Sequence, residues 1–230
     1  MTALSRIRPF AWLAAALLAS GSMAEATEPG SNASRGSRVF EVSITNLTRG
    51  QTFTTILVAT HSPRVEFFEL GTPAGNGLAV LAEDGNTSVL ASELASTGAV
   101  LDAQTIPGLL APGATATIRV RANARFDRLS IAAMLIPTND SFMALDSFDL
   151  PWIGGSVTRT LLAYDAGSEP NDELCRNIPG PRCSGEGSSP SRNGEGFVHV
   201  SGGMHGIGDL AASVYDWRNP VARVVIRRVD

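Results

Sequence analysis

Alternating apolar and polar residues mark the first regular elements of this 230-residue chain. Residues 40–45 read Phe-Glu-Val-Ser-Ile-Thr, and residues 115–122 repeat the alternation after the turn signal Pro112-Gly113. A period of two residues is typical of a strand with one face in the core and the other in water. The continuous apolar run at residues 129–136 predicts a strand that is buried on both faces. Further strands are predicted at residues 56–59, 161–164 and 221–229.

Two short segments, residues 77–83 and 87–94, have helical spacing instead, with Asn76 and Asn86 at the expected N-cap positions. Many short strands separated by Gly and Pro turns, with little helix, favour a sandwich over a barrel or an α/β fold. We therefore predict an all-β, antiparallel β-sandwich with short helical insertions.

The N-terminus has the layout of a cleavable secretory signal. Arg6 and Arg8 precede an apolar run at residues 10–19, and Ser22-Met23-Ala24 offers small residues for cleavage. The run is shorter than the roughly 20 residues that cross a bilayer, although a retained membrane anchor is the alternative interpretation. We predict a signal peptide at 1–24, a disordered leader at 25–38 and one domain at 39–230, secreted to the periplasm or the extracellular space.

The mature chain is acidic, because loss of Arg6 and Arg8 changes the formal net charge from −4 to −6. A nucleic-acid partner needs a basic face that displaces counterions from phosphates, so we expect none. No segment after residue 24 has the roughly 20 apolar residues of a membrane helix, so we also expect no membrane span.

The only two cysteines, Cys175 and Cys183, lie in a segment rich in Pro, Gly and Ser. In an exported protein such a pair predicts a disulfide, which would stabilise the fold by roughly 2–3 kcal/mol. A metal pair or a redox site is the rival interpretation, although the spacing is too wide for a CxxC motif.

No motif in the chain supports catalysis. The three histidines, His61, His199 and His205, lack partners at a recognisable zinc-ligand spacing. The sequence also contains no GxSxG, HExxH, P-loop or dinucleotide fingerprint. We therefore expect a non-enzymatic protein in which each histidine is structural or lines a loop.

Acidic residues follow two of the predicted strands. Asp140 comes after the strand at 129–136, Asp165 after the strand at 161–164, and Glu169 four residues later across Gly167. If both strands end on the same side of the sandwich, three carboxylates converge, and a hard cation such as Ca²⁺ prefers such oxygen ligands. Spacing alone leaves open that the acids only cap turns, and it gives no argument for including Asp146 or Asp149.

Six segments of the chain stand out in order: Val42-Ser-Ile-Thr-Asn-Leu47, Phe67-Phe-Glu-Leu-Gly71, residues 77–85, residues 128–140, Tyr164-Asp-Ala-Gly-Ser-Glu169 and Pro220-Val-Ala-Arg-Val224. Together they span roughly residues 39–228 and resemble the spondin N-terminal (F-spondin) domain.

The resemblance implies an eight-stranded, C2-like antiparallel sandwich with a calcium site whose carboxylates fall on Asp140, Asp165 and Glu169. The sequence departs from the family pattern in three places. Glu169 replaces an Asp, Ser141 stands where the family usually has Trp, and the animal members' Cys pair is missing near Asp149-Leu150.

We expect a secreted, calcium-binding, non-catalytic module that serves adhesion or extracellular binding, with a glycan, a protein or a matrix polymer as its ligand. One alternative is an extracellular glycosidase-like hydrolase that pairs Asp140 with Asp165 or Glu169. That alternative predicts a deep groove at the acids and one carboxyl with a raised pKa. A purely structural exported domain is the third possibility.

Overall fold

The computed structural model describes residues 36–188 and 193–230. The predicted signal peptide and residues 25–35 of the predicted leader lie outside the described residues. Arg38, the last residue of that leader, is already the first residue of a strand. No helix within the described ranges is long and apolar enough to span a membrane.

The described residues form ten strands and three short α-helices. The strands are β1 (Arg38–Asn46), β2 (Thr52–Phe53), β3 (Ile56–His61), β4 (Val100–Ile106), β5 (Thr115–Ala122), β6 (Arg128–Ile136), β7 (Ser141–Asp149), β8 (Ser156–Asp165), β9 (His199–Val200) and β10 (Ala222–Arg228). The helices are α1 (Asn76–Asp84), α2 (Ser88–Ser96) and α3 (Ala212–Tyr215).

All strand pairs are antiparallel, and eight strands form one path in the order β4-β3-β6-β7-β8-β10-β1-β5. The two-residue strands β2 and β9 pair beside this path, with β6 and β8 respectively. The prediction of an all-β, antiparallel, sandwich-like fold with short helical insertions is confirmed.

Side chains join the two ends of this path. The Asp102 carboxylate in β4 accepts a hydrogen bond from the Arg121 N–H in β5 at 2.8 Å. The Thr60 hydroxyl in β3 donates to the Arg121 carbonyl at 2.6 Å. The sheet therefore curls until its edge strands meet, which covers backbone groups that an open edge would expose.

Strand β6 is buried on both faces, as its continuous apolar sequence predicts. Leu129, Ile131, Ala133 and Leu135 face the core enclosed by the curled sheet. Ala132 belongs to a second core, which α1 and α2 cover with the apolar side chains Leu78, Leu81, Leu90 and Leu94. The insertion between β3 and β4 thus shields the outer face of the central strands.

The prediction that Asn76 caps α1 is wrong. The N-cap is Gly75, and Asn76 is the first helical residue. The Glu93 carboxylate of α2 accepts the Gly77 N–H at 3.1 Å and the Asn76 amide at 3.4 Å, so α2 supplies the acceptor that a capping side chain would otherwise provide. Asn86 precedes the N-cap of α2, which is Thr87, and its side chain accepts the Ser88 N–H at 3.0 Å.

The predicted disulfide is present and joins Cys175 to Cys183, with their Cα atoms 4.7 Å apart. It lies in the long connection between β8 and β9. That connection begins at the acidic end of β8 and returns to the same end of β8 through β9.

Candidate metal centre

Asp140 and Asp165 lie side by side at neighbouring strand ends. Asp140 directly precedes β7, and the first residue of β7, Ser141, pairs with Asp165, the last residue of β8. The Ala166 N–H donates to the Asp140 carbonyl at 3.2 Å and continues this pairing past the end of β8. Asp140 is 0% exposed and Asp165 is 1% exposed, so both carboxyl groups lie inside the protein.

The turn that follows Asp165 supplies hydrogen bonds to both carboxyl groups. Asp140 Oδ2 accepts the N–H groups of Ser168 and Glu169 at 2.8 and 2.9 Å, and the Ser168 hydroxyl at 3.2 Å. Asp165 Oδ1 accepts the Gly167 N–H at 2.9 Å. The turn thus places a row of backbone donors beside both carboxyl groups.

Gly167 is needed in this turn for two reasons. Its φ is +62°, which L side chains rarely adopt. A Cβ atom at this position would also lie 2.3 Å from the Phe197 carbonyl oxygen. The turn can therefore fold tightly against the strand end only with glycine at its centre.

Asp140 carries the clearest electrostatic signature of the centre. Burial, followed by the neighbouring charge of Asp165, raises the pKa of Asp140 to about 7. The hydrogen bonds from residues 168 and 169 act in the opposite direction and lower this pKa. Burial also raises the pKa of Asp165, although Gly167 and Asn171 oppose this rise. Asp140 Oδ1 is buried and has no hydrogen-bond partner among the described residues. Two like charges and an unsatisfied oxygen make this a place where a cation would be stabilised.

Glu169 reaches the centre through its backbone, since its N–H bonds to Asp140, and its side chain is 1% exposed. Of the three predicted ligands, the structure therefore brings Asp140 and Asp165 into direct electrostatic contact and places buried Glu169 on the adjoining turn.

A second group of ligand atoms surrounds Asp165. One ligand atom from each of Asp165, Glu195 and His199 lies within 4.8 Å of the other two. His199 Nε2 is 3.5 Å from Asp165 Oδ1 and 3.9 Å from Glu195 Oε2. Sequence reasoning missed Glu195 and assigned His199 to a structural or loop-lining role, because neither has a motif around it. Their four-residue separation, which ends at the first residue of β9, is the one signal in the sequence.

The remaining acids and histidines lie in other contacts. Asp146 accepts the Ser130 hydroxyl and the Phe67 N–H, and Asp149 pairs with Arg128. His61 is fully buried between Ser130 and the Ser62 carbonyl. His205 lies 3.7 Å from the carboxylate of Glu173.

Fold and site together define a β-sandwich-like domain with buried acidic residues gathered at one strand end. The family model Spondin_N matches residues 45–172, more than half of the chain. The chain therefore belongs to the spondin N-terminal family, whose members are generally non-enzymatic extracellular domains. The matched region contains Asp140, Asp165 and Glu169 but ends before Glu195 and His199. A search of curated proteins found no match.

Proposed function

We propose that this protein is a secreted, calcium-binding, non-catalytic module that binds an extracellular partner. The observation that carries the proposal is the pair of fully buried carboxyl groups at the adjoining ends of β7 and β8, one of which leaves Oδ1 without a hydrogen-bond partner among the described residues. Removing two like charges from water is costly unless a cation or a proton compensates them.

Calcium fits the chemistry of the predicted ligands. Asp140, Asp165 and Glu169 offer only oxygen atoms, which Ca²⁺ prefers at about 2.3–2.6 Å. The backbone N–H groups of residues 168 and 169 engage Asp140 Oδ2, which leaves Oδ1 as the oxygen for the ion. Glu169 has one methylene more than the Asp that the family usually carries, so its carboxylate reaches further from its own backbone than an Asp carboxylate would.

In this role calcium is structural. The ion neutralises the two strand-end carboxylates and ties β7 and β8 to the turn at residues 166–169. Phe197, which is 42% exposed, lies against this turn through its backbone, and Val200 is 48% exposed in the adjacent strand β9. An ordered turn would hold this partly apolar surface in place for a partner. A glycan, a protein and a matrix polymer are all compatible with it.

The hydrolase alternative meets one of its two expectations. The pKa of Asp140 is raised to about 7, as a general acid requires. A deep groove at the acids is the second expectation, yet five surface cavities formed by described residues include none of Asp140, Asp165 and Glu169 in their walls. Because Asp140 and Asp165 are at most 1% exposed, a sugar cannot reach them in this conformation.

Thermal unfolding of the purified protein in EDTA and in millimolar calcium tests the proposal. At a hundredfold excess over Kd, an ion that binds only the folded state adds about 2.7 kcal/mol, or about 5–10 °C in Tm. Asp140→Asn should remove this rise, whereas Glu66→Gln, at an exposed acid, should keep it. Identical wild-type curves in both buffers, with no calcium by elemental analysis, would refute calcium binding.

A further inference from the structure

The hydrogen bonds of His199 fix which of its ring nitrogens points at the acids. Nδ1 lies 3.1 Å from the Val200 carbonyl oxygen, which can only accept a hydrogen bond. Nδ1 therefore carries the proton, and in the neutral ring Nε2 presents its lone pair. Nε2 is buried, has no hydrogen-bond partner among the described residues, and faces one carboxylate oxygen each from Asp165 and Glu195.

A single amide group orients both carboxylates. Asn171 Nδ2 donates to Asp165 Oδ2 at 2.9 Å and to Glu195 Oε1 at 3.2 Å. The other oxygen of each carboxylate is the one that lies near His199 Nε2. Metal-ligating histidines typically donate their second N–H to a carbonyl, and ligating carboxylates are themselves hydrogen-bonded. Both features of such an outer shell are present here.

We propose that Asp165, Glu195 and His199 form a second cation site, which takes a transition-metal dication of the zinc type in preference to calcium. An imidazole nitrogen with two carboxylate oxygens suits zinc and similar metals, whereas calcium favours oxygen alone. Ligand atoms around a tetrahedral zinc ion lie about 3.3–3.5 Å apart, since each bond is about 2.0–2.2 Å long. The observed separations of 3.5 and 3.9 Å approach this spacing.

Asp140, although not a ligand of this second site, adds negative charge beside Asp165. It is 0% exposed, its Oδ1 has no hydrogen-bond partner among the described residues, and its charge acts directly on Asp165. The Asp165 carboxylate therefore interacts electrostatically with two other acids, Asp140 and Glu195. The side chains of Glu195 and His199 are 38% and 28% exposed, so an ion and its remaining water ligands can enter from solvent.

The rival account is a proton on His199 Nε2, which would make the ring a cation paired with both carboxylates. The two accounts differ in metal affinity. Zinc can bind only after the ring releases its Nε2 proton, so a ring that the two carboxylates hold as a cation binds zinc weakly, whereas the proposed site binds one ion per chain. The second site does not depend on calcium at Asp140, because Glu195 and His199 are not among the proposed calcium ligands. The two sites meet only at Asp165.

Calorimetric titration of the purified protein with zinc chloride, with and without saturating calcium, tests the site. We expect one zinc ion per wild-type chain and at least tenfold weaker binding in both His199→Gln and Glu195→Gln. His205→Gln is the matched control, since it removes an exposed histidine beside another acid, Glu173, and should leave zinc affinity unchanged. Asp140→Asn should also keep zinc while it loses the calcium-dependent rise in Tm.

Three results would overturn the second site: no zinc binding by the wild type, unchanged affinity in His199→Gln, or loss of zinc in Asp140→Asn. The last would mean that one ion spans the whole acidic group. Far-ultraviolet circular dichroism of each variant establishes folding, and Glu195→Gln, at a partly exposed side chain, gives a second reading if His199→Gln does not fold. Zinc binding without any effect of calcium on Tm would refute the calcium proposal alone.

Discussion

Two groups of polar side chains in this molecule differ in how their polar atoms are compensated. In the first group, the Ser130 hydroxyl lies 2.7 Å from His61 Nε2, 2.7 Å from Asp146 Oδ1 and 2.8 Å from the Ser147 N–H. Strands β3, β6 and β7 each contribute to it. In the second group, Asp140 and Asp165 repel each other, and Asp140 Oδ1 lacks a hydrogen-bond partner among the described residues.

This difference indicates a structural role for the Ser130 group and a ligand-binding role for the Asp140 group. Around Ser130, the groups that meet are hydroxyl, imidazole, amide and one carboxylate, and their bonds hold a bulge where the β6–β7 register shifts between Leu129 and Ile131. In that group each of these polar atoms lies within 2.8 Å of a protein partner, and no like charges meet. Around Asp140, like charges meet in a buried place, which is stable only when a proton or a metal ion compensates them. The comparison predicts that metal ions act on the second group and not on the first, and that a rise in pH destabilises only the second.

The largest expected effect comes from the charge of Asp140 in EDTA. Because its folded pKa is about 7, above the ordinary value, its stabilising contribution is complete below about pH 4 and is lost as the pH rises through 7. Asp140→Asn should therefore be more stable than the wild type by about 3–4 kcal/mol at pH 8 and nearly equal to it at pH 4.

Urea unfolding of both proteins across this pH range measures the difference directly. The subtraction removes the contribution of His61, whose pKa is lowered by burial and whose stabilisation is lost as the pH falls. Calcium should narrow this difference at pH 8, by about 2.7 kcal/mol at a hundredfold excess over Kd, since only the wild type retains the ligand. A difference that does not change with pH would mean that the Asp140 carboxyl is solvated.

The next effect tests the hydrogen bonds around Ser130. Ser130→Ala should lower the free energy of unfolding by about 2–3 kcal/mol, because it leaves His61 Nε2 and the Ser147 N–H buried without their partner. The loss should be the same in EDTA and in calcium. Ser43→Ala is the control, since this hydroxyl pairs with Thr117 at 2.9 Å on the solvent-facing side of β1 and its removal should cost about 0.5 kcal/mol or less. Equal losses in the two variants would show that the Ser130 hydroxyl stabilises the fold no more than an exposed hydroxyl does.

The sequence predicted the fold where alternation or burial was strong, as in β1, β5 and β6. It missed β7, whose residues Ser141–Asp149 mix apolar and polar side chains without strict alternation because one half is buried and the other is partly exposed. It also missed β4 (Val100–Ile106), and it missed β2 and β9, which contain two residues each and exist only because a longer neighbouring strand pairs with them.

The same limit applies to the site. The sequence placed Asp140 and Asp165 after two predicted strands and left open whether both strands end on the same side. They meet because β7, which was not predicted, begins beside the end of its antiparallel neighbour β8. The approach of Glu195 and His199 was not predicted. It depends on a long connection with little regular structure, whose return to β8 is set by tertiary contacts such as the bond from the Gly196 N–H to the Gly167 carbonyl at 2.8 Å.

The disulfide offers a third way to separate the two groups. Replacing both Cys175 and Cys183 with serine should lower the free energy of unfolding by roughly 2 kcal/mol, because the open chain loses a short closed loop. Asn171 lies four residues before Cys175 in the same connection, so we expect weaker zinc binding in addition. The Ser130 group should not respond, which means that the cost of Ser130→Ala should be unchanged in this background. Non-additive losses from these changes would show that the connection and the β6–β7 bulge are coupled.

The smallest effect on stability is expected at Asn171, whose side-chain amide donates to both Asp165 and Glu195. Asn171→Ala removes an amide donor to Asp165 and Glu195 and should cost about 1 kcal/mol in EDTA, since the lost bonds are partly offset by access of water to the carboxylates. Its effect on zinc should be far larger, with affinity about 10–100-fold weaker, because the carboxylates lose their orientation. Asn76→Ala, which removes an amide donor to the Glu93 carboxylate, should change neither the zinc nor the calcium response. A stability loss without any change in zinc affinity would show that the hydrogen bonds of Asn171 are purely structural, like those around Ser130. It would contradict a role for Asn171 in the outer shell of a metal site.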